Sequence, residues 1–331
     1  MVSHTEIQAS NALINDATAP RTAVFVGGTA GIGQLTIRAL VATDASVRIF
    51  IIGRKSAEER MNVFIQELRT TNPKAEIIWI EAEVSLLAET KRVCAVIKGK
   101  EAHVDLLFLT TGYAPFGGRK ETTEGVEIAQ SLEHYTRVLF ILHLLPLLEK
   151  AEAPRVVSVL SGGMEMANID LDDIDLKRPG NFNVMKAQTQ YMALHTMVLE
   201  KLADQNPNVA FIHSWPGWVN TGNVKRGRDP NSFLSWLIWF TLEPLIWLFA
   251  TSDDVSAQMH LFQCTSAAFG GRGIPWNGKP GVTSLGKETD GLFLVNKNCD
   301  CTPNAKVLAK LREEAQGKIW DHTQDVLRPY L

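Results

Sequence analysis

The sequence predicts an α/β protein, in which a doubly wound parallel sheet lies between two layers of helices. Strand-like apolar runs alternate with amphipathic helical stretches over the first two-thirds of the 331 residues. This order is typical of parallel sheets with helices on both faces. A glycine-rich turn directly follows the first run, which is a second indication. The expected strands are 22–26, 47–52, 76–80, 104–110, 155–160 and 209–214.

The apolar content of single strands supports this fold. Val47–Ile52 and Val104–Leu109 are almost continuously apolar, as expected for strands buried on both faces. Between the strands, one helix is expected near 57–70 and a longer one at roughly 122–149.

Composition restricts the function classes. The hydrophobic fraction of 45% supports a sizeable core, and the net charge of −3 argues against a nucleic-acid surface. Cysteines stand at 94, 264, 299 and 301, without the second pair or nearby histidines that a zinc site needs. We therefore expect free thiols, no metal site and a reducing, cytoplasmic compartment.

The chain is predicted to form one domain with additions. Residues 1–20 are polar and small and read as a disordered or loosely docked arm, not as a signal peptide. Residues 21–331 form the domain, with an apolar lid at 231–250, after the sixth strand, and a C-terminal helical extension at 303–331.

The segment 233–249 is unusually apolar and carries three tryptophans. Glu243 and Pro244, near its middle, disfavour a membrane span. Two apolar helices over a hydrophobic cleft, with peripheral contact to an internal membrane, are one interpretation. A plain pair of core helices is the other, and both stay open.

The glycine-rich turn is the most informative motif. It runs Val26-Gly27-Gly28-Thr29-Ala30-Gly31-Ile32-Gly33 between a predicted strand and a predicted helix. Gly27 permits the tight turn, Gly31 lets a pyrophosphate lie against main-chain N–H groups, and Gly33 lets helix and strand pack closely. This arrangement predicts a dinucleotide site.

The glycine spacing, three residues and then one, resembles the short-chain dehydrogenase/reductase family. The resemblance covers most of residues 20–270 and implies a three-layer, Rossmann-type fold. Arg54 ends the second strand, where an arginine pairs with a 2′-phosphate, so NADP(H) is the expected cofactor. The basic residue that some NADP-using members carry inside the glycine loop is missing.

Further segments match the family's cofactor site in order. Glu83 falls near the adenine, Gly112 keeps the glycine of the family's Asn-Asn-Ala-Gly motif, and Thr221 would contact the carboxamide. The residues expected to bind cofactor are Gly27, Thr29, Gly31, Ile32, Gly33, Arg54, Glu83, Gly112, Lys186, Pro216, Gly217, Val219 and Thr221.

The catalytic set departs from the family. Ser161 takes the place of the serine that orients the substrate carbonyl, and Lys186 that of the lysine. Phe182 stands where the family has its proton-donating tyrosine, one helical turn before Lys186. An alternative register through Tyr191 would pair it with His195 instead of a lysine, and it is rejected.

Another group must then supply the proton, or the reaction needs none at that point. Candidates are Tyr113, His134, Tyr135 and Glu165, each with a packing role as an equal alternative. The family's asparagine is missing from the helix at 122–149, and Glu133 or His134 falls nearest its place.

Residues 318–323, with the segment Glu133–Arg137 and the tryptophans, resemble a fungal branch of the family found in secondary-metabolite pathways. The prediction is an NADP(H)-dependent oxidoreductase for a bulky apolar terpenoid, polyketide or alkaloid intermediate. A non-redox isomerase or cyclase, or a silent NADP(H)-binding protein, stays open. Helix-mediated dimers are frequent in the family, so a homodimer is open too.

Overall fold

The computed structural model describes residues 2–219, 240 and 250–331. Within these residues, seven parallel strands form one sheet in the order β3-β2-β1-β4-β5-β6-β7. The order reverses between β1 and β4, so the predicted doubly wound, Rossmann-type fold is confirmed. The strands are β1 Thr22–Val26, β2 Arg48–Gly53, β3 Glu76–Glu81, β4 Leu106–Leu109, β5 Arg155–Val159, β6 Ala210–Ser214 and β7 Leu292–Val295.

Alternating side chains of the central strands fill two cores. Val24 and Val26 face one helical layer, while Ala23 and Phe25 face the other, as the two-residue period of a strand requires. Both faces are buried, which explains why the strands are apolar almost throughout. All six predicted strands are present, and among the strands in the described part of the chain only the four-residue β7 was not predicted.

Ten α-helical segments are present in the described part of the chain. They are α1 His4–Asn11, α2 Gly31–Val41, α3 Glu58–Thr71, α4 Leu87–Lys98, α5 Ile128–Gln130, α6 Thr136–Leu148, α7 Val184–Gln205, α8 Asp253–Thr265, α9 Ala305–Glu314 and α10 Gln316–Leu327. The long helix expected at 122–149 begins at Ile128, and a π-helical turn, Ser131–Tyr135, divides it. Helices α4, α6, α7, α9 and α10 cover one face of the sheet, and α1, α2, α3 and α8 cover the other.

The N-terminal arm differs from expectation. Residues 4–11 form α1, which Ser3 and Glu6 cap reciprocally. Ile7 is buried, and the Asn11 side-chain amide donates to the Gln258 carbonyl at 2.8 Å. The arm is therefore a docked helix instead of a disordered or loosely attached segment, because Ile7, Ser10 and Asn11 share one buried face of α1.

The predicted C-terminal extension consists of α9 and α10, followed by a 3₁₀ turn, Arg328–Tyr330. The predicted lid at 231–250 lies outside the described residues apart from Phe240 and Ala250. Among the described residues, no helix has the length and apolarity to cross a bilayer.

Candidate active site

The turn between β1 and α2 has the geometry that its glycines predict. Gly27 and Gly31 have φ angles of +102° and +59°. A Cβ atom on Gly33 would lie 2.6 Å from the Gly27 carbonyl oxygen, so only glycine allows this close approach. No side chain caps the start of α2 at Ala30. The first-turn N–H groups therefore lack a side-chain partner, as a pyrophosphate cradle requires. Ile32 is buried beneath the turn.

Two arginines lie beside this cradle. Arg54 is exposed directly after β2. The Arg60 guanidinium, from α3, donates to the Thr29 carbonyl of the glycine turn at 3.3 Å. Arg60 was not predicted from the sequence. The feature that could have indicated a role for Arg60 is its position in the first turn of α3, where the helix dipole disfavours a positive charge.

Glu83, predicted near the adenine, is exposed beyond β3. Its carboxylate accepts a hydrogen bond from the Ser85 hydroxyl at 2.9 Å. The side chain is thus held at the carboxyl edge of the sheet, where the parallel strands end.

The end of β4 packs directly against the glycine turn. The Thr110 hydroxyl donates to the Gly27 carbonyl at 3.2 Å. Gly112, with φ of +149°, lies against Glu133, because a Cβ there would approach the Glu133 Cγ atom to 2.7 Å. Glycine turn, β4 edge and Glu133 therefore form one continuous wall.

Glu133 lies in the π-helical turn and is almost fully buried. Its Oε1 atom accepts from the Tyr113 backbone N–H at 3.1 Å, and its Oε2 atom accepts from the Gln188 amide at 3.0 Å. Burial raises the pKa of Glu133 to about 8, although the nearby Arg137 guanidinium opposes this shift. Burial therefore favours the neutral form of this carboxyl group over the carboxylate.

Tyr113 is the half-buried neighbour of this carboxyl group. Burial, together with the carboxylates of Glu127 and Glu133, raises the pKa of its phenol to about 12. The predicted proton donor Tyr113 is thus at the edge of the site, but it is a weaker acid than an ordinary tyrosine.

Arg137, fully buried, joins β4 to β5 beneath the site. It donates to the Thr111 carbonyl, to the Ser158 hydroxyl at 2.7 Å and to the Val159 carbonyl at 3.0 Å. Burial lowers its pKa to about 10, so it remains a cation. These bonds fix the distance between the two strand ends.

Ser161 lies partly exposed in the loop after β5, at the same edge. Glu165, predicted as an alternative proton donor, is turned beneath this loop. It accepts from the Gly163 N–H at 2.9 Å and from the Thr196 hydroxyl at 2.7 Å, and burial raises its pKa. Its contacts are those of a residue that holds the serine loop.

The start of α7 corrects the expected relation between Phe182 and Lys186. Asn183 has extended backbone angles and caps the helix, because its side chain accepts from the Lys186 N–H at 2.9 Å. Helix α7 therefore begins at Val184, and Phe182 precedes it. The two side chains do not share a helical face, since the one-turn relation holds only inside a helix.

Phe182 packs, partly buried, against the hydrophobic core to which α6 and α7 contribute. The Lys186 ammonium group donates to Asp170 at 2.9 Å and to Asn181. Hydrogen bonds from Asn181 and Lys186 lower the pKa of Asp170 to about 2. Lys186 is therefore engaged by residues of the loop before α7.

The Pro216-Gly217 segment follows β6 at the same edge. Gly217 has φ of +70° and packs against the Lys297 side chain. Val219 forms a parallel bridge with Thr251. Thr221, predicted to contact the carboxamide, lies outside the described residues.

Comparisons with known proteins agree with this architecture. The family described as short chain dehydrogenase matches residues 21–171. Oxidoreductase AN1596 of Emericella nidulans is 37% identical over 340 residues, which cover 99% of this chain and 98% of that protein. The chain belongs to the short-chain dehydrogenase/reductase family. The NmrA-like family domain-containing oxidoreductase notO of an Aspergillus species is 34% identical over 327 residues, covering 98% of this chain and 95% of that protein.

A solved short-chain dehydrogenase/reductase structure shares the fold. The NADPH-bound carbonyl reductase from chicken fatty liver superposes with a TM-score of 0.53 at 16% identity. The match covers 86% of this chain and 99% of that one. At this identity the likeness shows the fold alone.

His134 and Tyr135, the two other predicted proton donors, make their hydrogen bonds away from the sheet edge. The His134 imidazole bonds the Thr323 hydroxyl at 2.9 Å in the interior, and burial lowers its pKa to about 3. The Tyr135 hydroxyl donates to Asp175 at 2.6 Å, and Asp175 also bonds His322 at 3.0 Å. The motif at 318–323 thus docks α10 onto the π-helical turn. These contacts argue against a proton-donor role for either residue.

Proposed function

We propose that this protein is an NADP(H)-dependent oxidoreductase that acts on a bulky hydrophobic secondary-metabolite intermediate, of terpenoid, polyketide or alkaloid type. The observation that carries the proposal is the glycine cradle flanked by two arginines. Gly27 and Gly33 have no room for a side chain, and the N-terminus of α2 has no side-chain cap. The solved NADPH-bound carbonyl reductase, which shares the fold, supports the choice of cofactor.

The residues at the cradle fit a 2′-phosphorylated dinucleotide. The pyrophosphate would lie on the first-turn N–H groups of α2, while Arg54 and Arg60 would hold the 2′-phosphate. Arg60 supplies, from α3, the basic group that the glycine loop itself lacks. When bound, the reduced nicotinamide cofactor would supply a hydride to an electrophilic carbon of the substrate.

Exposed apolar side chains support the choice of substrate. Met164, Met166, Met185 and Trp218 are all exposed on loops or helix starts at the carboxyl edge of the sheet. The Met166 sulfur accepts from Thr189, one helical turn beyond Met185, at 3.9 Å, so both methionines border the same helix face. Methionine adapts to irregular apolar partners. Ser161, in the loop after β5, would polarise the substrate oxygen.

One observation favours a second candidate. The Lys186 ammonium group is held by Asp170 and Asn181, which competes with the expected contact to a ribose. A non-redox isomerase or cyclase, or a protein that binds NADP(H) without chemistry, has no need of that contact. Product mass separates the redox and non-redox functions, because reduction adds two hydrogens and isomerisation adds none.

Calorimetric titration with NADPH and NADH tests the cofactor. We expect NADPH to bind more tightly, and Arg54→Asp or Arg60→Ala to weaken NADPH binding about 10- to 150-fold by removing a charge-assisted hydrogen bond. Arg328→Ala, on the exposed C-terminal turn, is the matched control and should bind as the wild type does. Equal affinity for both cofactors, or none for either, would overturn the proposal.

A further inference from the structure

Glu133 connects the segment after β4 to helix α7. It packs against Gly112 at the end of β4, and Gly112 follows the residues that contact the glycine turn. It accepts a hydrogen bond from the Tyr113 backbone. The Gln188 amide, two residues beyond Lys186 on α7, bonds both of its oxygens, at 3.3 and 3.0 Å.

The serine loop is connected to the same place. Arg137, one helical turn after Glu133, bonds Ser158 and Val159 at the end of β5, just before Ser161. The carboxyl group of Glu133 thus lies between the segment after β4 and helix α7, and Arg137 links its helix to β5. A π-helical turn positions it, a feature that is frequent at functional sites.

Phe182 has no ionisable group, and the other proton donors predicted from the sequence are poorly placed or poorly matched. Glu165 lies under the serine loop, held by Gly163 and Thr196. His134 and Tyr135 face α10. Tyr113 remains, but its phenol has been made a weaker acid by its surroundings.

We propose that Glu133, buried in the π-helical turn against Gly112 and oriented by Gln188, holds the proton that the site must deliver to the substrate. This inference rests on the proposed oxidoreductase function. The carboxylic acid takes over the task that a tyrosine hydroxyl would perform at the position of Phe182.

The step balances with the reduced nicotinamide cofactor as hydride source. As hydride reaches the carbonyl carbon, the electron pair of the C=O π bond moves to the substrate oxygen. The O–H bond of Glu133 breaks and a new O–H bond forms at that oxygen. Glu133 is left as a carboxylate and regains a proton from water.

The surroundings of Glu133 favour the neutral acid before this step. Four titratable groups face Glu133. The cation Arg137 lies on its own helix and Glu127 lies in the segment before that helix. Tyr113 comes from the loop after β4 and Tyr191 from α7. Burial outweighs the attraction of Arg137, so the pKa of Glu133 lies near 8, close to the value that suits general acid catalysis at neutral pH.

Infrared difference spectroscopy over a pH titration tests the protonation without any substrate or cofactor. We expect wild-type protein to lose a protonated-carboxyl C=O band with a midpoint near pH 8. Glu133→Gln should lack this band. Glu101 precedes β4 and forms an ion pair with Arg48, so the control variant Glu101→Gln should keep the band. A wild-type spectrum without such a band, or a band unchanged in Glu133→Gln, would refute the proposal.

Kinetics then test the role of the proton, with NADPH and a polycyclic aromatic quinone as probe substrate. We expect Glu133→Gln to lower kcat about 10²- to 10⁴-fold while the NADPH Kd stays unchanged, and Glu133→Asp to restore part of the rate. The kcat of the wild type should fall above the same pH midpoint. Glu101→Gln should match the wild type throughout.

The two proposals fail in different ways. Wild-type protein that does not bind NADPH would defeat the oxidoreductase function, while the infrared titration would still report on Glu133. Tight NADPH binding with an equal kcat in wild type and Glu133→Gln would defeat the role of Glu133 alone. Wild-type protein that binds NADPH but leaves the quinone unreduced would count against the oxidoreductase function, and the infrared titration would again decide whether Glu133 holds a proton.

Discussion

Gly33→Ala should disable the cofactor cradle while leaving most of the fold intact. The new Cβ would meet the Gly27 carbonyl oxygen at 2.6 Å and two further backbone atoms at 3.1 Å. These atoms belong to the glycine turn itself and cannot rotate away as a side chain could. The closest approach is roughly 1 Å short of ordinary contact, so the start of α2 must move away from the turn.

The expected magnitude follows from that displacement. Overpacking of this kind costs about 1–3 kcal/mol. If the cost falls on the geometry that binds the pyrophosphate, NADPH affinity drops about 5- to 150-fold. The variant should also melt at a lower temperature, because part of the strain persists without ligand.

Calorimetric titration with NADPH and a thermal melt measure both effects. Gly317→Ala is the matched control, since a Cβ there meets nothing within 4 Å and alanine favours a helix. It should bind NADPH normally and melt no lower than the wild type. Unchanged affinity in Gly33→Ala would mean that no ligand occupies this turn, and the reasoning from the glycine spacing would be refuted.

Two further predictions concern the supports of the site. Arg137→Met should lower the free energy of unfolding in urea by about 3–5 kcal/mol, because buried acceptors at the ends of β4 and β5 lose their donor. A decrease below about 1 kcal/mol would show that these hydrogen bonds do not stabilise the strand ends. The second concerns Asp175, whose pKa is lowered because hydrogen bonds from His322 and Tyr135 outweigh the effect of burial. The contribution of the Asp175 carboxylate to the free energy of unfolding should be complete above about pH 4. It should fade as the pH falls through the folded-state pKa. Asp175→Asn should therefore unfold at lower urea concentration at pH 7, and a gap from wild type that does not narrow in acid would contradict this.

The sequence predicted the fold and the cradle well, because both depend on short-range patterns. A strand buried on two faces must be apolar almost throughout, and Val47–Ile52 shows this without knowledge of its neighbours. Gly33 is likewise dictated by nearby backbone, because a Cβ there would meet atoms of Gly27 and Gly28. β7 escaped prediction because four apolar residues, Leu292–Val295, do not distinguish a strand from a buried loop.

The orientation of the predicted proton donors could not be obtained this way. The pairing of Phe182 with Lys186 assumed a helix, but Asn183 caps α7 one residue later. His134 was expected to face the site from a regular helix, whereas a π-helical turn directs it to Thr323, far away in sequence. Such contacts depend on the tertiary arrangement, which local periodicity does not encode.

The π-helical turn explains how one helix serves both the site and the core. Consecutive side chains on a helix point in widely different directions, so Glu133 can face Gln188 while His134 bonds Thr323 and Tyr135 bonds Asp175. The two inward contacts fix the rotation of the turn, and this rotation places the carboxyl group of Glu133 against the end of β4. Helix α10, although distant from the cofactor cradle, thereby helps to set the position of the acid. A change at Thr323 should therefore shift the infrared midpoint assigned to Glu133, since the turn would lose one of its two anchors.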